Sequence, residues 1–157
     1  MSFSITGPGA AAAALAAALG VALPLPAAAQ ELLVHSSEAV LALSGEPRPT
    51  GSKGLRLLDH GGEVVAVHVW YPPDTEIAPH PHPAGKVALV TVLSGSIELG
   101  LGDEYDAGKL QAVPAGGVVV LRADDPQHFG RTGPEGVQLL LVAGPAEAVT
   151  PSLVTAD

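Results

Sequence analysis

Cysteine is absent from this 157-residue chain, which excludes a disulfide framework, a thiolate metal site and a cysteine nucleophile. Aromatic residues make up only 3%, too few for a stacking platform that would hold bases or sugars. Charged residues are also sparse at 15%, and basic side chains are the scarcer kind, 7 Lys and Arg against 16 Asp and Glu. The resulting net charge of -9 argues against nucleic acid or an anionic membrane surface as partner. There is no glycine-rich phosphate loop, no G-x-S-x-G elbow and no assembly of Ser, His and Asp for nucleophilic catalysis. Long apolar runs are missing too: the uncharged segment 10–23, AAAAALAAALGVAL, is too short for an ordinary membrane span.

That segment has a different reading. It leads into Pro24-Leu25-Pro26 and then Ala27-Ala28-Ala29-Gln30, an apolar core, a helix break and an A-x-A site, the layout of a secretory signal peptide. No Lys or Arg precedes Arg48, so the usual basic N-terminal region is lacking; a low-complexity alanine tail is the competing reading. Residues 1–29 are expected to be the leader, cleaved after Ala29, giving a periplasmic or secreted chain with no membrane insertion afterwards. The leader carries no charged side chain, so cleavage leaves the charge unchanged.

What is abundant is turn chemistry, with 19 Gly and 15 Pro and no collagen-like period. Apolar residues at 47% are enough for one domain with a real core. Between the turns lie short runs rich in β-branched residues. Residues 63–71 read EVVAVHVWY and stop at Pro72-Pro73; residues 87–93 read VALVTVL. Gly95 is expected to separate that second run from an alternating strand, Ile97-Glu98-Leu99, and three more strands are expected at 110–113, 118–121 and 137–142. Regularly spaced short strands imply a sandwich or barrel. The expected organisation is an N-terminal strand or loop segment at 30–54, a single all-β barrel at 55–144 and a frayed tail at 145–157. Segment 32–43 reads equally as a strand or a short helix; being apolar, it is the expected contributor to a homodimer.

The chemistry gathers on histidine. His80 and His82 form a His-x-His pair inside Ile77-Ala78-Pro79-His80-Pro81-His82-Pro83. Residues two apart on an extended chain project to one side, and the alternating prolines fix φ and deny a helix. Two imidazoles would therefore converge on one ion; a solvent-exposed turn is the alternative. His68 lies in strand 63–71 with Ala66 and Trp70 on its face and is expected to meet solvent or a structural hydrogen bond. Trp70 and Tyr71 read as core or rim, His60 as a turn residue, and Glu98 as solvent-facing.

These residues resemble the cupin family. His80-x-His82 followed by Thr91-Val92-Leu93-Ser94-Gly95 is similar to the first cupin motif. Gly102-Asp103-Glu104-Tyr105-Asp106, then Leu110-Gln111-Ala112-Val113-Pro114-Ala115-Gly116, resembles the linker of small exported bacterial cupins. Pro126-Gln127-His128-Phe129 falls where the second motif has its closing histidine. The resemblance runs from about residue 64 to 142 and implies an antiparallel jelly-roll β-barrel with His80, His82 and His128 as metal ligands. Its pattern is broken in two places. Where the first motif has a glutamate this chain has Lys86, and the interval from Lys86 to Gly95 is longer than usual. Before the third histidine stands Arg122-Ala123-Asp124-Asp125, where either aspartate is a candidate for the missing carboxylate or simply a turn former.

Lys86 divides the functional readings. A unit positive charge about 4 Å from a divalent ion, at an effective dielectric near 20, costs roughly 8 kcal/mol. Either Lys86 turns outward and three histidines hold Fe, Mn, Ni, Cu or Zn, or it occupies the pocket, which is then metal-free and takes a small anionic ligand. Under the first reading the chain binds a metal or small molecule, as an enzyme such as a dioxygenase or isomerase or as a binding protein. Under the second it is a non-catalytic cupin.

Overall fold

The computed structural model describes residues 33–81, 85–122 and 124–149. The expected leader at 1–29, His82 in the His-x-His pair and the end of the expected tail lie outside them. Residues from His35 onward form one compact unit, an antiparallel jelly-roll barrel of seven strands. A short helix precedes it, α1 (Ser37–Ala42), whose start is fixed by the Ser36 hydroxyl accepting from the Ala39 N–H. Within the ambiguous 32–43 segment, Ser37–Ala42 are thus helical. Leu43 at its end is 60% exposed. No helix among the described residues is long and apolar enough to cross a membrane.

The strands are β1 (Lys53–His60), β2 (Val64–Tyr71), β3 (Glu76–His80), β4 (Val87–Leu101), β5 (Gln111–Val113), β6 (Val118–Leu121) and β7 (His128–Gly144), with one turn of 3-10 helix at Ala107–Lys109. Strands β4 and β7, paired along their whole lengths, carry the architecture. The first half of β4 also holds β6, while its second half holds β5. The second half of β7 holds β2, which in turn pairs β1, while its first half holds β3. One hydrogen-bonded sheet thereby wraps into two layers around a common interior.

The bend is built from glycine. Gly95 has φ 75° and Gly136 has φ 71°, a region that suits a residue without Cβ. A Cβ on Gly95 would lie 2.1 Å from the Gly136 carbonyl oxygen, and one on Gly136 would lie 2.5 Å from the Tyr71 oxygen. The register of β4 against β7 slips at both Val92/Ser94 and Gly95/Ile97, so β-bulges turn the strand without ending it. Gly95 therefore does not separate two strands, as its sequence context suggests; it is the corner inside one. Thr132 pins the same corner, its hydroxyl donating to the Pro72 carbonyl at 2.7 Å and accepting from the Thr75 N–H at 2.8 Å.

Alternation then decides the core. Val65, Val67, Val69 and Tyr71 of β2 share a face with Val137, Leu139, Leu141 and Ala143 of β7 and with Ala88, Val90 and Val92 of β4. Ile97, Ile77 and Leu121 complete this interior. Burying side chains of this size stabilises by about 1.5–3 kcal/mol each. Two boundaries move from expectation. The barrel begins at Lys53 rather than 55, and after β7 the chain turns at Pro145, whose carbonyl accepts from the Ala148 and Val149 N–H groups. Val149 is buried there at 3% exposure, so the start of the expected tail is packed.

Candidate functional site

The interior holds a cavity of about 130 Å³. Its walls are aliphatic, formed by Val69, Val90, Leu121, Leu139 and Leu141 among others. Four features interrupt them: the imidazoles of His80 and His128, the phenol of Tyr71 and the ring of Pro81. No described residue that lines it carries a formal charge.

His80 ends β3 and His128 opens β7, and the two are direct partners in the antiparallel register. Opposed residues on paired strands present side chains to the same face, which brings the rings together: their centroids lie 3.9 Å apart at a tilt of 55°. The Nδ1 of His80 lies 2.9 Å from the Ala78 carbonyl oxygen. A carbonyl only accepts, so Nδ1 carries the proton and Nε2 keeps its lone pair, the tautomer a metal-ligating histidine takes when a backbone carbonyl fixes its other nitrogen. The His128 ring lies beside it on the adjacent strand. His82, the expected third ligand, lies outside the described residues; among those described, no cluster of three or more His, Cys, Asp or Glu is present.

Phe129 explains why His128 points inward. Fully buried, it takes the opposite face of β7, where it packs against Tyr105 at 5.3 Å between ring centroids. It also covers Gly100, whose missing side chain leaves room for the ring. Strand alternation then leaves its neighbour facing the cavity.

Lys86 has another address. Its ammonium donates to the Gly62 carbonyl in the β1–β2 turn, 24 residues back in the chain, and it does not line the cavity. The same turn holds Asp59, whose carboxyl is kept below its ordinary value by the Gly62 N–H, by Arg56 and, more weakly, by the Lys86 charge. Asp125 behaves as a turn former, accepting from the Arg122 N–H at 2.7 Å, and Asp124 is exposed. Neither lines the cavity. Glu98 faces outward and pairs with Arg131 at 2.5 Å. His68 is buried at 6% exposure on the outer face of β2, with Nε2 3.3 Å from Gln138 Oε1, a structural hydrogen bond.

Tyr71 is the cavity residue that sequence reasoning undervalued. The sequence left it open between core and rim, although the alternation Val65, Val67, Val69, Tyr71 places it inward. Burial pushes its phenol above the ordinary value, against a smaller opposing pull from the Arg48 cation, so a neutral O–H donor is kept at the cavity wall.

The barrel is of the cupin type in fold, as likeness to solved structures bears out. An uncharacterised double-stranded β-helix protein of Klebsiella pneumoniae superposes with a TM-score of 0.53 at 21% identity, covering 80% of this chain and 92% of its own. KdgF from Halomonas sp. gives 0.52 at 17%, covering 64% and 84%. The Cnp3 cupin domain of Schizosaccharomyces pombe gives 0.52 at 17%, covering 68% and 73%. No family model matches the chain, and no curated protein matches it. The likeness is one of fold, a single all-β cupin-type barrel.

Proposed function

We propose that this chain is an exported metal-binding cupin that holds one divalent transition ion through His80, His128 and His82. The observation that carries the reading is the direct pairing of His80 and His128, with ring centroids 3.9 Å apart at the edge of a preformed cavity. The proton on His80 Nδ1 leaves Nε2 as donor, and His82, two residues on in the sequence and between Pro81 and Pro83, is the proposed third. Neutral imidazoles suit Fe, Mn, Ni, Cu or Zn. The ion would supply Lewis acidity toward an oxygen of a bound small molecule; the protein's share is to orient the imidazoles and exclude water with an aliphatic wall.

The anionic-pocket alternative loses its support when the Lys86 ammonium is satisfied at Gly62. The test is elemental analysis of the chain purified without added metal and without an affinity tag that binds metal. About one equivalent of a transition metal, lost on EDTA treatment and restored by one equivalent of that ion, is the expected result. A chain that neither carries nor takes up metal overturns the reading. Export is proposed on the leader-like segment 1–29, and an intact mass starting at Gln30 in the periplasmic or secreted fraction is its check.

A further inference from the structure

We infer that the barrel cavity is a site for a small uncharged ring compound of about six to eight heavy atoms with a single hydrogen-bonding group. The inference rests on the reading above that the barrel interior is the binding site, and it names the class of molecule.

Size comes first. The cavity measures about 130 Å³, and an apolar protein cavity of roughly 150 Å³ stays dry and takes up benzene. One ring fits; a disaccharide, a nucleotide or a long acyl chain does not. Charge comes second. Burying an ionised carboxylate away from a partner is strongly unfavourable, and in the metal-free protein the described lining residues include no Lys or Arg: the Lys86 ammonium is at Gly62. Arg48 acts on the Tyr71 phenol without itself lining the cavity, and Lys109 is on the wall of a separate, wider recess of about 490 Å³ that shares only Leu99, Leu121 and His128 with the cavity. That lysine is exposed and 3.9 Å from Asp106. Polarity comes third. Among the described residues, the polar groups along the cavity wall are the His80–His128 pair and the Tyr71 hydroxyl, so a ligand with one hydroxyl or carbonyl oxygen is matched there.

Phenol and benzoate, near-identical rings that differ in charge at pH 7, separate these terms. Full-length protein labelled with ¹³C on its Val, Leu and Ile methyl groups would be titrated with each, once in EDTA and once with one equivalent of its metal. Phenol is expected to shift the methyl signals of Val69, Val90, Ile97 and Leu139 saturably in both conditions, and in EDTA, where no ion offsets a carboxylate, to bind at least tenfold tighter than benzoate. Methyl groups of Leu58 and Leu93, on exposed positions, should stay unmoved. Ala88→Leu, which puts a larger side chain into the cavity, is expected to abolish the phenol shifts; if that variant does not fold, the wild-type methyl map alone decides. Benzoate binding as tightly as phenol in EDTA, shifts confined to Leu110 and Val119 of the wider recess, or no saturable shift would each overturn the inference. Loss of the metal reading is seen separately: phenol still moves the cavity methyls in EDTA while elemental analysis finds no ion. Metal retained without any cavity shift marks the opposite failure.

Discussion

His80 and His128 occupy opposed positions in the β3–β7 ladder, so one pair of hydrogen-bonded strands sets the distance between the two imidazoles. No loop intervenes. The strand register, rather than a flexible loop, accordingly holds the two rings together.

Removal of either imidazole should therefore lower metal affinity sharply without unfolding the barrel. His128→Ala and His80→Ala are each expected to weaken binding by on the order of 100-fold or more, beyond the 10–100-fold typical of losing an outer-shell partner. Both histidines are only half-buried, so the cost in metal-free stability should stay within about 1 kcal/mol. Competition titration against a chromophoric chelator, with urea denaturation in EDTA, reads both quantities. Undiminished affinity in both variants would remove the imidazole pair from the site.

Lys86→Met probes the charge that stands where cupins have a glutamate. With the ammonium already on the Gly62 carbonyl, metal affinity is expected to change less than threefold. The loss should appear in the β1–β2 turn, where an exposed charge-assisted bond contributes up to about 1 kcal/mol. The carboxyl of Asp59 should rise toward its ordinary value as one of its cations is removed; NMR titration of that side chain reads the shift. An affinity gain of tenfold or more would mean that Lys86 reaches the ion.

These contrasts mark where sequence reading succeeds. Strands β2 and β6 are dense in β-branched residues, and their local preference agrees with their final state. Of the three candidate histidines, His80 and His128 are brought together, a pairing suggested by the cupin resemblance and not by the His-x-His spacing, whose second member lies outside the described residues. The first half of β7 was hidden, since Gly130, Gly133, Pro134 and Gly136 look like loop residues and are strand only because β3 and β4 hold them. Gly95 looked like a turn because its partner, the Gly136 oxygen, lies 41 residues away in the chain, as the two residue numbers show. The destination of Lys86 is equally non-local. Helix α1 had a readable signal, the capping Ser36, which the apolar 32–43 pattern obscured.

The phenol of Tyr71 gives a pH dependence of known sign. Burial raises its folded value above the ordinary 10.0, so the fold binds this proton more tightly than the unfolded chain does. The associated stability is fully present below about pH 10 and is lost as pH rises through the folded value. Tyr71→Phe removes that loss. The stability difference between wild type and variant should be flat from pH 7 to 9, within about 1 kcal/mol, and then move in favour of the variant at higher pH. Urea denaturation at stepped pH measures it, and absorbance near 295 nm should show one tyrosine ionising late in the wild type only. Parallel pH profiles would contradict the buried assignment of Tyr71.

The barrel corner offers the sharpest test of the architecture. Gly95→Ala combines two penalties: φ of 75°, and a Cβ 2.1 Å from the Gly136 carbonyl oxygen. The second is a clash with backbone that no rotamer change relieves. Gly61, in the β1–β2 turn, shares the conformational penalty at φ 58° but has nothing within 4 Å of its Cβ position. Gly61→Ala should thus cost about 1 kcal/mol, from backbone strain alone. Gly95→Ala must also push β4 from β7, and is expected to cost at least about 3 kcal/mol, lowering Tm by more than about 10 °C. The difference between the variants isolates the steric term. Since β4 and β7 carry the cavity walls and His128, Gly95→Ala should also weaken metal binding, whereas Gly61→Ala should leave it unchanged. Equal effects of the two substitutions on Tm would show that β4 and β7 do not meet at this corner, and the wrapping of one sheet into two layers would have to be redrawn.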